Sequence, residues 1–243
     1  VMSLVLKYIT LKTYFFVKIF GGYMIRAVIF DMDGLMIDSE RVTYECFRKY
    51  LKDKDMDMTE EFYITLLGQT IKVCKQKVLD QFGKDFPYED CVNQVHEMLD
   101  ERLLIEGVPI KKGLIELLKY LKENHYKMIV ATSSERIRVD KILKNAGILE
   151  FFNDSICGDE VENGKPNPEV FLKACEKLGV RVDEALVLED SEAGIQAAFD
   201  GGIKVICVPD MKYPEEKYKK MATLVCDDLS EAETYIKGYC QCK

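Results

Sequence analysis

Two aspartates one residue apart, Asp31 and Asp33, end the apolar run Val28 to Phe30 and are followed at once by Gly34. A carboxylate where a buried strand surfaces can act as a nucleophile, and a second one past a tight turn can reach the same centre as acid and base. Carboxylates gathered there are costly unless they meet cations or a metal. Something positive is therefore expected opposite them. Taken alone, the same pair could be a solvated turn with an aspartate cap.

Three further stretches could share that chemistry. Ala131-Thr132-Ser133-Ser134 follows another apolar run, and hydroxyls and backbone N–H groups at a strand-to-helix junction suit phosphate oxygens. An ordinary helix cap is its alternative. In Gly164-Lys165-Pro166-Asn167-Pro168 two prolines stiffen the chain beside Lys165, which could neutralise both a nucleophile and an anionic substrate or simply be a surface lysine. Leu188-Glu189-Asp190-Ser191 adds two carboxylates, which either cap the next helix or, with Asp31 and Asp33, share a hard cation. All-oxygen ligands without a histidine cluster favour magnesium over zinc.

Strands must bring these four places together. From Ile25 onward the β-rich runs 25–30, 127–133, 154–157, 185–190 and 204–210 alternate with amphipathic helical patterns. That alternation predicts an α/β fold, a Rossmann-like parallel sheet covered by helices, with all four places at carboxyl ends of strands, where such sheets bind ligands. The helix after Asn167 carries its own start and stop signals: the Asn cap, Pro168 at the first helical position and Gly179 at the end. Gly147 and Gly201 are expected to close two other helices.

From about Asp38 to Gly107 no strand pattern occurs. Helical stretches are broken near 52–59, at Gly68 and at 83–87, which predicts an inserted all-helical domain. The expected organisation is a core of residues 24–37 and 108–229, a helical cap of 38–107, and a C-terminal tail of 230–243. Residues 1–23 differ from the rest, apolar and aromatic but spaced by Lys7, Lys12 and Lys18. The lysines make a poor membrane span, and the stretch is expected to be a dispensable extension or an upstream translation start.

A net charge of -8 argues against a nucleic-acid footprint. Nine scattered cysteines without a CxxC motif point to reduced thiols and a cytoplasmic location. The Cys240-Gln241-Cys242 tail has no partner ligand nearby and is expected to be a frayed terminus. Neither His96 nor His125 adjoins a motif, so a Ser-His-Asp hydrolase is unsupported.

With these residues placed, the chain resembles the haloacid dehalogenase superfamily of phosphatases and phosphotransferases. More narrowly, it is similar to the branch that holds beta-phosphoglucomutase and related sugar-phosphate phosphatases. The resemblance runs from about Met24 to Leu229. It implies a helical cap inserted after the first strand, Asp31 as the nucleophile on phosphorus, and Asp33 as the acid that protonates the leaving oxygen and then activates water. Thr132 and Lys165, with Ser133 beside them, would hold the phosphoryl group, and Gln69 in the cap loop could bond sugar hydroxyls. Magnesium would be bound by Asp31, the backbone carbonyl of Asp33 and Asp190, with Glu189 at or next to the ion.

The expected function is a magnesium-dependent phosphatase of a small phosphorylated metabolite, acting as a monomer or weak dimer through an aspartyl-phosphate. A phosphohexomutase is the alternative. Mutases of that branch carry a histidine twelve residues after the nucleophile and a basic cap loop. Here the position is Thr43, and the loop Leu66-Leu67-Gly68-Gln69-Thr70 has no Lys or Arg, Lys72 being the nearest cation. A noncatalytic binding module is the remote third reading.

Overall fold

The structure, a computed structural model, describes residues 24–69 and 71–241. The extension 1–23, Thr70 and Cys242 of the terminal pair lie outside the described residues. The strands are β1 (Ala27–Phe30), β2 (Lys127–Ala131), β3 (Asp154–Ile156), β4 (Ala185–Glu189), β5 (Lys204–Cys207) and β6 (Leu224–Val225). They form one parallel sheet in the order β3-β2-β1-β4-β5-β6.

The strand sequences are continuously apolar because both faces are covered. Val28, Phe30, Val130, Leu186 and Leu188 enter one core cluster, while Ala27, Ile29, Ile129, Ala131 and Val187 enter the other. The first face packs against helices α5 (Leu114–Glu123), α6 (Arg136–Asn145) and α10 (Leu229–Gln241), the second against α7 (Glu169–Leu178) and α8 (Glu192–Asp200). In α5 the buried leucines 114, 117, 118 and 121 follow the helical repeat. A short α9 (Glu216–Lys219) precedes β6.

Register sets the level of the strand ends. Phe30 is opposite Val130 on one side and Leu188 on the other. Asp31, Ala131 and Glu189 therefore leave three neighbouring strands side by side. The chain winds outward in one direction through β2 and β3, then in the other through β4, β5 and β6, so this level is also the topological switch point.

Between β1 and α5 lie α1 (Ser39–Lys52), α2 (Glu60–Ile64), α3 (Ile71–Phe82) and α4 (Tyr88–Ile105), with no strand among the described residues of this stretch. The breaks occur at residues of positive φ, among them Asp55, Gly68 and Gly83. Aromatic rings fill the interior: Tyr44 and Tyr63 lie 5.3 Å apart by centroid, as do Phe82 and Phe86. The two crossings to the core run alongside each other. Ile37 bridges Ile110 antiparallel, Asp38 N–H donates to the Pro109 carbonyl at 3.0 Å, and Lys111 N–H donates to the Met36 carbonyl at 3.0 Å.

Three details differ from the sequence reading. The stretch set apart as a tail from residue 230 is most of α10, whose Ala232 and Ile236 are buried in the core. β6 had been missed because two residues, Leu224 and Val225, carry no periodicity. Gly201 caps α8 in right-handed geometry, and the left-handed residue is Gly202 at φ +68°.

Candidate active site

Lys165 is the hub of the polar cluster at the switch point. Its ammonium donates to Asp31 Oδ1 at 2.5 Å, to Glu189 Oε1 at 2.6 Å and to the Ala131 carbonyl at 3.1 Å. All three donors are thus engaged by the ends of three adjacent strands. The side chain is 6% exposed and its nitrogen stands 4.8 Å from the Phe171 ring centroid. Burial disfavours the charge, but Asp31 and Glu189 outweigh it and the lysine pKa is raised. It is a fixed cation.

Glu189 is completely buried. Its second oxygen, Oε2, accepts the Ser191 backbone N–H at 2.8 Å and the Ser191 hydroxyl at 2.9 Å. This carboxylate fits only because α8 begins almost on top of it: a Cβ on Gly194 would lie 1.9 Å from Glu189 Cδ and Oε1. Gly34 serves Asp190 in the same manner, with φ +83° and a Cβ position 2.3 Å from Asp190 Oδ2.

Asp31, Glu189 and Asp190 each offer an oxygen, all within 4.8 Å of one another. Burial pushes the Asp31 carboxyl up to about 7, with Lys165 opposing the rise and Glu189 and Asp33 adding to it. Asp190 is raised well above its ordinary value by burial, then by Glu189, Asp31 and Asp210. One ammonium does not balance three carboxylates. The all-oxygen donor set, its surplus negative charge and the glycine cradle under Asp190 suit a hard divalent cation. Both oxygens of Glu189 already have partners, which leaves Asp31 and Asp190 as the freer donors.

Asp33 is held apart from this group. Arg138 Nη1 donates to its Oδ2 at 2.7 Å and Nη2 to its Oδ1 at 2.9 Å, while the Ser134 hydroxyl donates to Oδ2 at 2.8 Å. Burial pushes this carboxyl up, but the Arg138 charge and the hydrogen bonds prevail and hold it below the ordinary aspartate value.

The remaining expected residues are dispersed. Thr132 is buried at the end of β2, and its hydroxyl oxygen accepts the Ser134 N–H at 3.1 Å. Ser133 is exposed; its neighbour Ser134 is the serine that meets Asp33. Gln69 is not brought to the cluster. It lines a largely apolar cavity of about 280 Å³ inside the helical segment, with Phe47, Tyr63 and His96. Leu67 and Gly68 instead line a cavity of about 90 Å³ beside the cluster, with Glu40, Asp190, Asp210 and Lys212. A larger cavity of about 430 Å³, at the root of α1 and α4, contains no member of the cluster.

Arg138 and Glu40 were missed by the sequence reading, which named Ser134 only as part of the Ala131 to Ser134 stretch and singled out Ser133 instead. Arg138 lies in the first turn of α6, four residues after Ser134 in the turn that precedes the helix, and its Nη1 also donates to the Ser134 hydroxyl at 2.7 Å. That spacing was the available signal. Glu40 follows Ser39 in the first turn of α1, where an acidic residue is ordinary, and accepts from the Tyr63 hydroxyl at 2.8 Å.

Residues 28–208 match the haloacid dehalogenase-like hydrolase family. The chain belongs to that family and is an enzyme of the hydrolase class. It is 30% identical over 180 residues to the phosphorylated carbohydrates phosphatase of Thermotoga maritima, covering 74% of this chain and 83% of that one. The crystal structure of CbbY from Rhodobacter sphaeroides in complex with phosphate superposes with a TM-score of 0.68 at 26% identity, over 86% of this chain and 96% of that one. The beta-phosphoglucomutase of Clostridium difficile superposes with a TM-score of 0.65 at 25% identity, over 89% and 97%.

Proposed function

We propose that this protein is a magnesium-dependent phosphatase of a small phosphorylated metabolite, a sugar phosphate by preference, working through an aspartyl-phosphate on Asp31. The observation that carries the reading is the buried Lys165 bridging Asp31 and Glu189 where three strands end. Such a cation can fix the nucleophile and neutralise an incoming phosphate at once. The curated relative that acts on phosphorylated carbohydrates supports the substrate class.

An Asp31 oxygen attacks phosphorus as the bond to the ester oxygen breaks. Asp33, a carboxylate in the arrangement described above, must first take up a proton from solvent, which it then gives to the departing alkoxide; the alkoxide would otherwise be a poor leaving group. Asp33, now a carboxylate, takes a proton from water as that water attacks the aspartyl-phosphate, releasing phosphate and restoring Asp31. Thr132 and Lys165 hold the phosphoryl oxygens. Magnesium would be held by Asp31, Asp190 and the Asp33 carbonyl, with Glu189 alongside, and when bound supplies positive charge against the phosphoryl oxygens. Residues 38–107 act as a cap that closes over the substrate and excludes bulk water. Seven free cysteines among the described residues support a reducing, cytoplasmic setting, and no described helix is long and apolar enough to cross a membrane.

The structural likeness to a beta-phosphoglucomutase favours phosphohexomutase activity as a second reading. Against it, the Thr43 hydroxyl is turned back onto the Ser39 carbonyl at 2.8 Å, as an ordinary helix threonine. The test is phosphate release from a panel of sugar phosphates, nucleotides and phosphorylated acids, with magnesium and with chelator, beside a coupled assay of beta-glucose 1-phosphate conversion. Magnesium-dependent phosphate release is expected. Isomer formation without free phosphate would replace the phosphatase with the mutase, and inactivity of a protein that binds magnesium and phosphate would favour a binding module.

A further inference from the structure

Arg138 joins three parts of the molecule that the proposed chemistry requires to cooperate. It lies in the first turn of α6, on the core, and grips both oxygens of Asp33. Its remaining nitrogen, Nε, faces Oδ1 of Asp100 at 3.9 Å. Asp100 belongs to α4, in the helical segment, and its side chain is 62% exposed. One guanidinium thus stands between two carboxylates, with a closed two-point contact on one and a longer single contact on the other.

The closed contact conflicts with reach. To serve a substrate phosphate at Asp31, Asp33 must extend an oxygen toward the leaving group, but Arg138 and Ser134 occupy both of its oxygens. A two-point guanidinium-carboxylate contact is directional and is not given up without a replacement. Asp100 is the replacement within reach, carried on α4 of the helical segment. Glu40 adds a further, weaker negative charge near Arg138.

We infer that Arg138 is a positioning residue shared by Asp33 and Asp100. In the arrangement seen here it parks Asp33, and transfer of its guanidinium to Asp100 frees Asp33 to reach the leaving oxygen. The inference rests on the phosphatase reading and adds to it a link between the helical segment and the acid.

The test compares phenyl phosphate with p-nitrophenyl phosphate, since the nitrophenolate leaves with little help from an acid whereas the phenolate needs more. Asp100→Asn alters an exposed side chain and leaves the Asp33 contact intact. Its kcat on phenyl phosphate is expected to fall about tenfold with KM held within about twofold, while kcat on p-nitrophenyl phosphate stays within about twofold. Asp100→Glu should restore the phenyl phosphate rate. Equal losses on both substrates, or no loss on either, overturn the inference while leaving the phosphatase reading in place. Absence of phosphate release from both substrates in the unsubstituted protein overturns the phosphatase reading and this inference with it.

Discussion

Lys165 and Glu189 stand 2.6 Å apart, both side chains buried, with Glu189 at 1% exposure. Glu189 holds the lysine from below, and Asp31 meets it from the reacting side. Removing Glu189 leaves a buried ammonium with one carboxylate and the Ser191 donors with none. Glu189→Ala should therefore lower unfolding stability by about 3–5 kcal/mol and abolish turnover. Denaturant titration with a parallel activity assay checks this, and a loss below about 1 kcal/mol would mean that the pair is dispensable.

The contact between α8 and this carboxylate makes a second prediction. A methyl group at position 194 would occupy space already taken by Glu189, its Cβ lying 1.9 Å from Cδ. Gly194→Ala should cost about 1–3 kcal/mol and also reduce activity, because relief requires Glu189 or the helix to shift. A control in open space is Gly164→Ala, where a Cβ meets nothing within 4 Å. Similar melting temperatures for the two variants would refute the close approach.

Asp31→Asn and Asp33→Asn should separate the proposed nucleophile from the proposed acid. The first removes the attacking carboxylate and should leave no measurable turnover, with circular dichroism unchanged. The second should slow phenyl phosphate hydrolysis by about 100-fold or more. Near-native rates in a clean Asp31→Asn preparation would reject Asp31 as nucleophile.

Binding of the proposed magnesium ion should be linked to pH through the same cluster. The Asp31 carboxyl sits at about 7 in the folded protein against 3.8 for an ordinary aspartate. Between those values the folded state binds more protons than the unfolded chain, so this group's contribution to stability falls as pH rises through the window. A divalent cation replaces the proton and restores what is lost. The thermal shift produced by magnesium should be larger near pH 8 than near pH 5. Scanning calorimetry with and without chelator measures it, and an equal shift at both pH values would place the ion elsewhere.

Much of this was legible because the signals were local. The β1 run ends in Asp31, the β4 run ends in Glu189, and apolar strands without alternation already imply a sheet covered on both faces. The breaks in the helical segment were readable at Gly68 and Gly83, whose positive φ suits glycine. What sequence could not give was aim. Ser133 and Ser134 are adjacent and chemically identical, and only the turn capped by Thr132 decides which one faces Asp33. Gln69 sat in the right loop but lines the interior of the helical segment, while its neighbour Gly68 borders the cleft. Arg138 was hidden in a helix carrying several charged residues, and its partner lies 105 positions earlier.

The paired crossings at Ile37 and Ile110 limit how the helical segment can travel. Two chain segments tied by a bridge and by hydrogen bonds on either side form a short ribbon, which keeps its register under load but can twist. Such a ribbon favours a swing of the segment over sliding along the sheet edge. Under the proposed phosphatase reading, a door on one hinge opens on one side only, and substrate would arrive, and phosphate depart, along the margin opposite Ile37 and Ile110.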